Sequence, residues 1–99
     1  MNPFFEELGR RLVAAAADRG ATISAPELDA DLSRELLDLT RVVAHTQERR
    51  FGPLAAYLTG VAVGRAEAAG GTLDPDSVAR LVHALWEQLE AEAPERQES

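Results

Sequence analysis

The sequence contains no cysteine and no lysine, and only five of its 99 residues are aromatic. A chain without cysteine has no disulfide, no thiol nucleophile and no thiolate metal ligand. No apolar run approaches the ~18 residues of a transmembrane helix, and the chain does not open with a basic segment before an apolar block. These absences predict a cytoplasmic protein that does not enter a membrane.

The charge is acidic and unevenly distributed. Seventeen Asp and Glu against ten Arg give a net charge of −7. Because nucleic-acid binding depends largely on neutralising phosphates, this balance argues against a nucleic-acid partner. Residues 41–65 nevertheless hold four Arg and one Glu, whereas residues 87–98 hold five Glu and one Arg. The middle of the chain is therefore locally basic and its C-terminal end is acidic.

Helix-starting and helix-stopping residues divide the chain into four predicted helices. The starts share a capping residue or an early proline, at Asn2-Pro3, Ser24-Ala25-Pro26, Gly52-Pro53 and Asp74-Pro75. The ends fall at Gly20, Gly70-Gly71 and Pro94, and residues 26–48 form either one helix or two. These signals predict an all-α fold, a compact four-helix bundle with short loops, as a single domain over residues 1–94. Residues 95–99 are expected to be a disordered tail.

The third predicted helix differs from the others because Arg65 is the only charged residue between Phe51 and Ala66. A helix that is apolar on nearly all sides is usually buried on nearly all sides, so we expect it at the centre of the bundle. Gly60 and Gly64 lie one turn apart, so a strip of the helix surface there carries no side chains. They indicate either tight packing within the chain or a seam that binds a second copy or a ligand.

Four polar residues with helical spacing follow one another on the second predicted helix: Asp38, Arg41, His45 and Arg49. Residues three or four apart on a helix can contact one another, so Asp38 can pair with Arg41. Arg50 and the turn into the third helix come next, where a helix N-terminus normally offers unpaired N–H groups. The cluster predicts an anion site for phosphate or carboxylate, or else a solvated face with ordinary ion pairs.

Arg65 allows two interpretations. It lies in line with Leu54, Leu58 and Val61 on the third helix, an apolar stripe. Near the helix end an arginine either extends its head group to water or binds an anion at the mouth of a pocket.

Motifs of enzyme chemistry are missing from the sequence. It has no Gly-rich phosphate loop, no nucleophile elbow and no zinc-protease signature. His45 and His83 are the only histidines, and no spacing typical of metal ligands surrounds them. We therefore predict that the chain is not an enzyme and uses no cofactor and no metal.

Two stretches of the chain, residues 36–45 and 49–65, carry a family resemblance. Their pattern rests on Asp38, Arg41, His45, Pro53, Leu54, Tyr57, Gly60 and Gly64. It resembles a small actinobacterial domain of unknown function, found alone or fused behind molybdenum-cofactor guanylyltransferase-like modules. Thr40, Val42 and Ala55 depart from the pattern and leave this part of the chain less polar. The resemblance implies a helical accessory role in molybdenum-cofactor maturation or delivery and no established activity.

These observations favour a non-catalytic accessory or interaction domain with a protein partner. Its predicted surface comprises Asp38, Arg41, His45, Arg49 and Arg50. The alternative is a small-molecule binder in which Arg49, Arg50 and Arg65 hold an anionic group such as a nucleotide or pterin phosphate. A further hypothesis is a homodimer closed through Gly60 and Gly64.

Overall fold

The computed structural model describes residues 2–71 and 73–93. These residues form four α-helices and no strand, which confirms the all-α prediction: α1 (Pro3–Asp18), α2 (Ala30–Thr46), α3 (Phe51–Ala68) and α4 (Pro75–Glu92). The chain divides into two compact units, Met1–Ala30 and Asp31–Ser99. None of the described helices is both long and apolar enough to span a bilayer. The predicted helix end at Pro94 and the predicted disordered tail lie outside the described residues.

The starts of α1 and α4 follow the predicted capping signals. The side-chain oxygen of Asn2 accepts a hydrogen bond from the Phe4 N–H at 2.8 Å. The Asp74 carboxylate accepts one from the Ser77 N–H at 2.7 Å. In both helices a proline follows the cap and has no N–H to satisfy. The local sequence therefore fixes both starts.

Glycine ends α1 and α3 at the predicted positions. Gly20 has φ 85° and Gly70 has φ 94°, a conformation in which other residues are strained. In α1 the Gly20 N–H donates to the Ala17 carbonyl and the Ala21 N–H donates to the Ala16 carbonyl, both at 2.9 Å. The last turn of α3 repeats this pair of bonds. Both helices thus end in a Schellman motif.

The start of α2 was predicted wrongly. The capping signal at Ser24 is not used, and a single helix begins only at Ala30. In the first unit, residues 21–29 are non-helical and approach α1 closely, since a Cβ added to buried Gly9 would lie 2.9 Å from the Pro26 carbonyl oxygen. This segment therefore packs on α1 instead of forming the helical turn that the capping signal at Ser24 predicts.

The second unit has a small apolar core formed mainly by α2 and α4. Leu39, Val43 and Val82 are buried together. Apolar residues from all three helices of this unit cover them: Leu32, Leu36, Phe51, Ala55, Leu85 and Trp86. The apolar stripes of α2 and α4 therefore face each other, and the start of α3 covers the core from one side.

The expectation that α3 is buried on nearly all sides is wrong. Gly52 and Thr59 are its buried residues, whereas the side chains of Leu54, Tyr57 and Leu58 are 59%, 70% and 67% exposed. Helical geometry places Gly52 and Thr59 opposite Leu54 and Leu58. Small residues of α3 thus lie on its buried side, whereas Leu54, Tyr57 and Leu58 face outward. Among its large apolar residues, Phe51 in the first turn packs against the core.

Candidate functional site

Asp38 and Arg41 form the pair that their spacing predicts, at 3.5 Å. Arg41 also approaches α4, where its guanidinium lies 3.9 Å from the Glu90 carboxylate and 5.9 Å from the centre of the Trp86 ring. Exposed ion pairs of this kind contribute little to stability. Both charges of the Asp38–Arg41 pair are thus engaged within the second unit.

The remaining predicted residues of this cluster are exposed. His45 lies in the last turn of α2, but α2 ends at Thr46, so Arg49 belongs to the following turn and not to the helix face. Arg50 pairs with Glu48 at 2.8 Å and lies over the Phe51 ring at 5.9 Å. The expectation of one continuous polar helix face is therefore wrong at Arg49.

The start of α3 does not offer the free N–H groups that an anion site requires. The Phe51 N–H donates to the Glu48 carbonyl at 3.0 Å, and the Gly52 N–H donates to the Arg49 carbonyl at 3.2 Å. Pro53 has no N–H. The turn before α3 thus satisfies the groups expected to be unpaired. An anion here would depend on the arginine side chains alone.

Arg65 does not join Arg49 and Arg50. It is exposed in the last turn of α3, 15 residues after Arg50. At 1.5 Å per residue this separates their backbones by about 22 Å along the helix. A single phosphate group cannot bridge that distance, so the three arginines do not form one anion site.

A shallow groove of about 410 Å³ runs between α2 and α3. Two of its lining residues are the arginines Arg41 and Arg49, and the rest are mostly small or apolar: Leu37, Thr40, Ala44, Gly52 and Pro53. The Leu37 side chain is 70% exposed. The groove is therefore an apolar depression with a basic rim.

The outer side of α3 begins next to the groove residue Pro53, and we call it the α3 face: Leu54, Tyr57, Leu58, Gly60, Val61 and Gly64, all exposed except the half-buried Val61. A Cβ added to Gly60 or Gly64 would meet no atom within 4 Å. The interpretation of these glycines as a tight packing site within the chain is therefore wrong for the described structure. By contrast, a Cβ on Gly52 would lie 3.2 Å from the Thr40 Cβ. Gly52 is thus the glycine that permits α3 to approach α2.

A second polar cluster joins α2 to α4 and was not recognised in the sequence. Glu35 Oε1 accepts a hydrogen bond from the Trp86 indole N–H at 2.8 Å and lies 3.0 Å from His83 Nδ1. The Glu35 side chain is only 19% exposed. The other ring nitrogen of His83 lies 3.1 Å from the Glu87 carboxylate. Glu35 borders the apolar stripe of α2, and that position is the signal which could have revealed it.

The pKa values of this cluster move in opposite directions. The hydrogen bond from Trp86, followed by that from His83, lowers the pKa of Glu35. The Glu35 carboxylate and then Glu87 raise the pKa of His83. The contribution of His83 to stability is therefore full below its ordinary pKa and lost as the pH rises through the raised value. The contribution of Glu35 to stability is present above its ordinary pKa and is lost as the pH falls through its lowered pKa.

Metal-ligating side chains do not gather in the described part of the chain. Residues 2–71 and 73–93 contain no group of three or more His, Asp or Glu placed to hold one ion. His83 is held between the carboxylates of Glu35 and Glu87, whereas His45 lies in the last turn of α2.

Comparison of the chain with curated proteins and with solved structures found no match to either. A family model described as a domain of unknown function (DUF6457) matches residues 6–97. The match includes the turn after α2, the α3 face and the Glu35–His83 cluster. Because it covers nearly the whole sequence, the chain belongs to the DUF6457 family.

Proposed function

We propose that this chain is a non-catalytic protein-interaction domain whose contact surface is the α3 face together with the adjoining groove. The observation that carries the proposal is the exposure of Leu54, Tyr57 and Leu58 on one side of α3. Contiguous exposed apolar side chains on a folded domain mark interaction surfaces. Burying each of these side chains against a partner would contribute about 1–2 kcal/mol, given that a complete burial contributes roughly 1.5–3 kcal/mol.

The basic rim of the surface includes part of the cluster predicted from the sequence. Arg49 borders the groove, and Arg50 and His45 are exposed beside it. Asp38 and Arg41 pair with each other, and Arg41 also approaches Glu90 on α4, so these two charges are already engaged within the second unit. Rim charges of this kind set partner choice more than affinity.

The Glu35–His83 cluster supports a non-catalytic function. Both ring nitrogens of His83 lie beside carboxylate oxygens, at 3.0 and 3.1 Å. A general base needs a nitrogen within hydrogen-bond reach of the substrate proton. In this arrangement neither ring nitrogen of His83 is free to accept a proton from a substrate. The cluster instead joins α2 to α4.

The resemblance to chains fused with molybdenum-cofactor guanylyltransferase-like modules supports a partner in molybdenum-cofactor maturation. Proteins of that process are the first candidates to be tested. A cytoplasmic location and an actinobacterial source are part of the same proposal.

The test is capture of partners by the tagged chain from a lysate of its source cells, with quantification by mass spectrometry. The variant Leu54→Glu/Leu58→Glu alters the α3 face, and Leu81→Glu on α4 is the matched control, since Leu81 is also an exposed leucine. We expect a defined protein to be retained by the wild type and the control and lost with the face variant. The variant Arg49→Glu/Arg50→Glu should weaken the same capture. Equal capture by all variants would refute the proposed surface.

A further inference from the structure

The charges around the α3 face identify the kind of partner that it fits. Arg49 lies in the turn before α3, where it borders the groove, and Arg65 lies in the last turn of α3. The described residues provide no carboxylate within ion-pair distance of either arginine. The neighbouring arginines differ, because Arg50 pairs with Glu48 and Arg41 with Asp38. Within the described residues, two arginines without an ion-pair partner therefore lie before and after the exposed apolar side chains of α3.

No acidic residue lies on the side of α3 that carries Leu54 and Leu58. Glu67 is the only acid of α3, and helical geometry places it opposite these leucines, on the side of Gly60. Arg65, in contrast, lies in line with Leu54 and Leu58. The side of α3 that carries Leu54 and Leu58 thus ends in a basic group, and a second basic group lies in the turn before the helix.

We infer that the partner segment is an amphipathic α-helix of about four turns with acidic residues near both ends. This inference rests on the proposed function. Arg49 and Arg65 are 16 residues apart, about 24 Å at the helical rise, which matches carboxylates about 16 residues apart on a partner helix. Helix-in-groove recognition uses apolar anchors at i, i+3, i+4 and i+7, and Leu54, Tyr57, Leu58 and Val61 present that spacing from this side. Gly60 and Gly64 leave open surface where the partner backbone can approach.

The test is selection of binders from a displayed library of 18-residue helical peptides with a fixed leucine stripe and random residues elsewhere. The full chain is the target, with Arg49→Glu/Arg65→Glu and Leu54→Glu/Leu58→Glu as parallel targets. We expect the wild type to enrich Asp or Glu at two positions about 16 residues apart, and the arginine variant to enrich Lys or Arg there. A selected acidic peptide should lose about two- to fivefold in affinity for each arginine reversed, as for exposed ion pairs.

Each other outcome contradicts at least one of the two proposals. Peptides that need Leu54 and Leu58 but show no charge preference would refute the acidic helix and leave the proposed function standing. No enrichment over the Leu54→Glu/Leu58→Glu target would refute both. Sedimentation of the wild type as a dimer, with that variant monomeric, would show that a second copy covers the α3 face and would also refute the acidic helix.

Discussion

Gly60 and Gly64 provide the sharpest test of the exposed α3 face, through the variants Gly60→Ala and Gly64→Ala. Both residues lie inside α3, where glycine is less favourable than alanine by about 0.5–1 kcal/mol. A new Cβ at either position meets no atom within 4 Å. No steric penalty therefore opposes the gain in helix propensity, and each variant should be more stable than the wild type.

The expected gain is about 0.5–1 kcal/mol for each substitution and about 1–2 kcal/mol for both together. For a domain of this size, 1 kcal/mol corresponds to a shift in Tm of roughly 4–8 °C. Gly52→Ala is the matched control in the same helix, because its Cβ would lie 3.2 Å from the Thr40 Cβ and 3.4 Å from the Thr40 carbonyl oxygen. We expect no gain or a loss of stability in that variant.

The assay is urea denaturation followed by circular dichroism at several protein concentrations. A loss of stability in Gly60→Ala or Gly64→Ala that is independent of concentration would mean that another part of the chain packs on these glycines. The conclusion that the α3 face is exposed would then be wrong. A loss that appears only at high concentration would instead indicate a homodimer through this face.

Three further predictions concern the core, the first unit and the polar cluster. Leu39→Ala should lower the free energy of unfolding by about 2–5 kcal/mol in urea denaturation, since Leu39 is fully buried. Gly9→Ala should also destabilise the chain, and proteolysis should become faster in residues 21–29, because the new Cβ would clash with the Pro26 carbonyl oxygen. The wild type should lose stability as the pH rises through the raised pKa of His83, and Glu35→Gln should flatten this dependence in thermal unfolding between pH 5 and 9.

Controls separate these effects from general damage. His45→Gln should keep the pH dependence of the wild type, because His45 is exposed and lies outside the cluster. An unchanged pH profile in Glu35→Gln would refute the electrostatic link between α2 and α4. A Gly9→Ala chain with normal stability would show that residues 21–29 do not pack against α1 as described.

Part of the candidate site was predictable from residue spacing. The Asp38–Arg41 pair forms because residues three apart on a helix are neighbours. The anion site at the turn could not be assessed in this way, since it depended on backbone N–H groups whose hydrogen bonds became visible only in the structure. Glu35 and His83 are 48 residues apart in sequence, so no local pattern brings them together.

The sequence alone determined that the chain is helical and where most of its helices begin and end. Capping side chains, prolines and glycines act over a few residues, so Asn2, Asp74, Gly20 and Gly70 mark the same boundaries in the structure. The apolar stripes of α2 and α4 likewise indicate which of their sides is buried.

Only the tertiary structure decided how α3 is oriented. The apolar residues of α3 are distributed around the whole helix, so their periodicity could not distinguish its inner side from its outer side. Close approach between α2 and α3 requires small residues at the contact, and Gly52 beside Thr40 meets that requirement. The larger Leu54, Tyr57 and Leu58 consequently face outward, and the surface proposed for partner binding results from that packing.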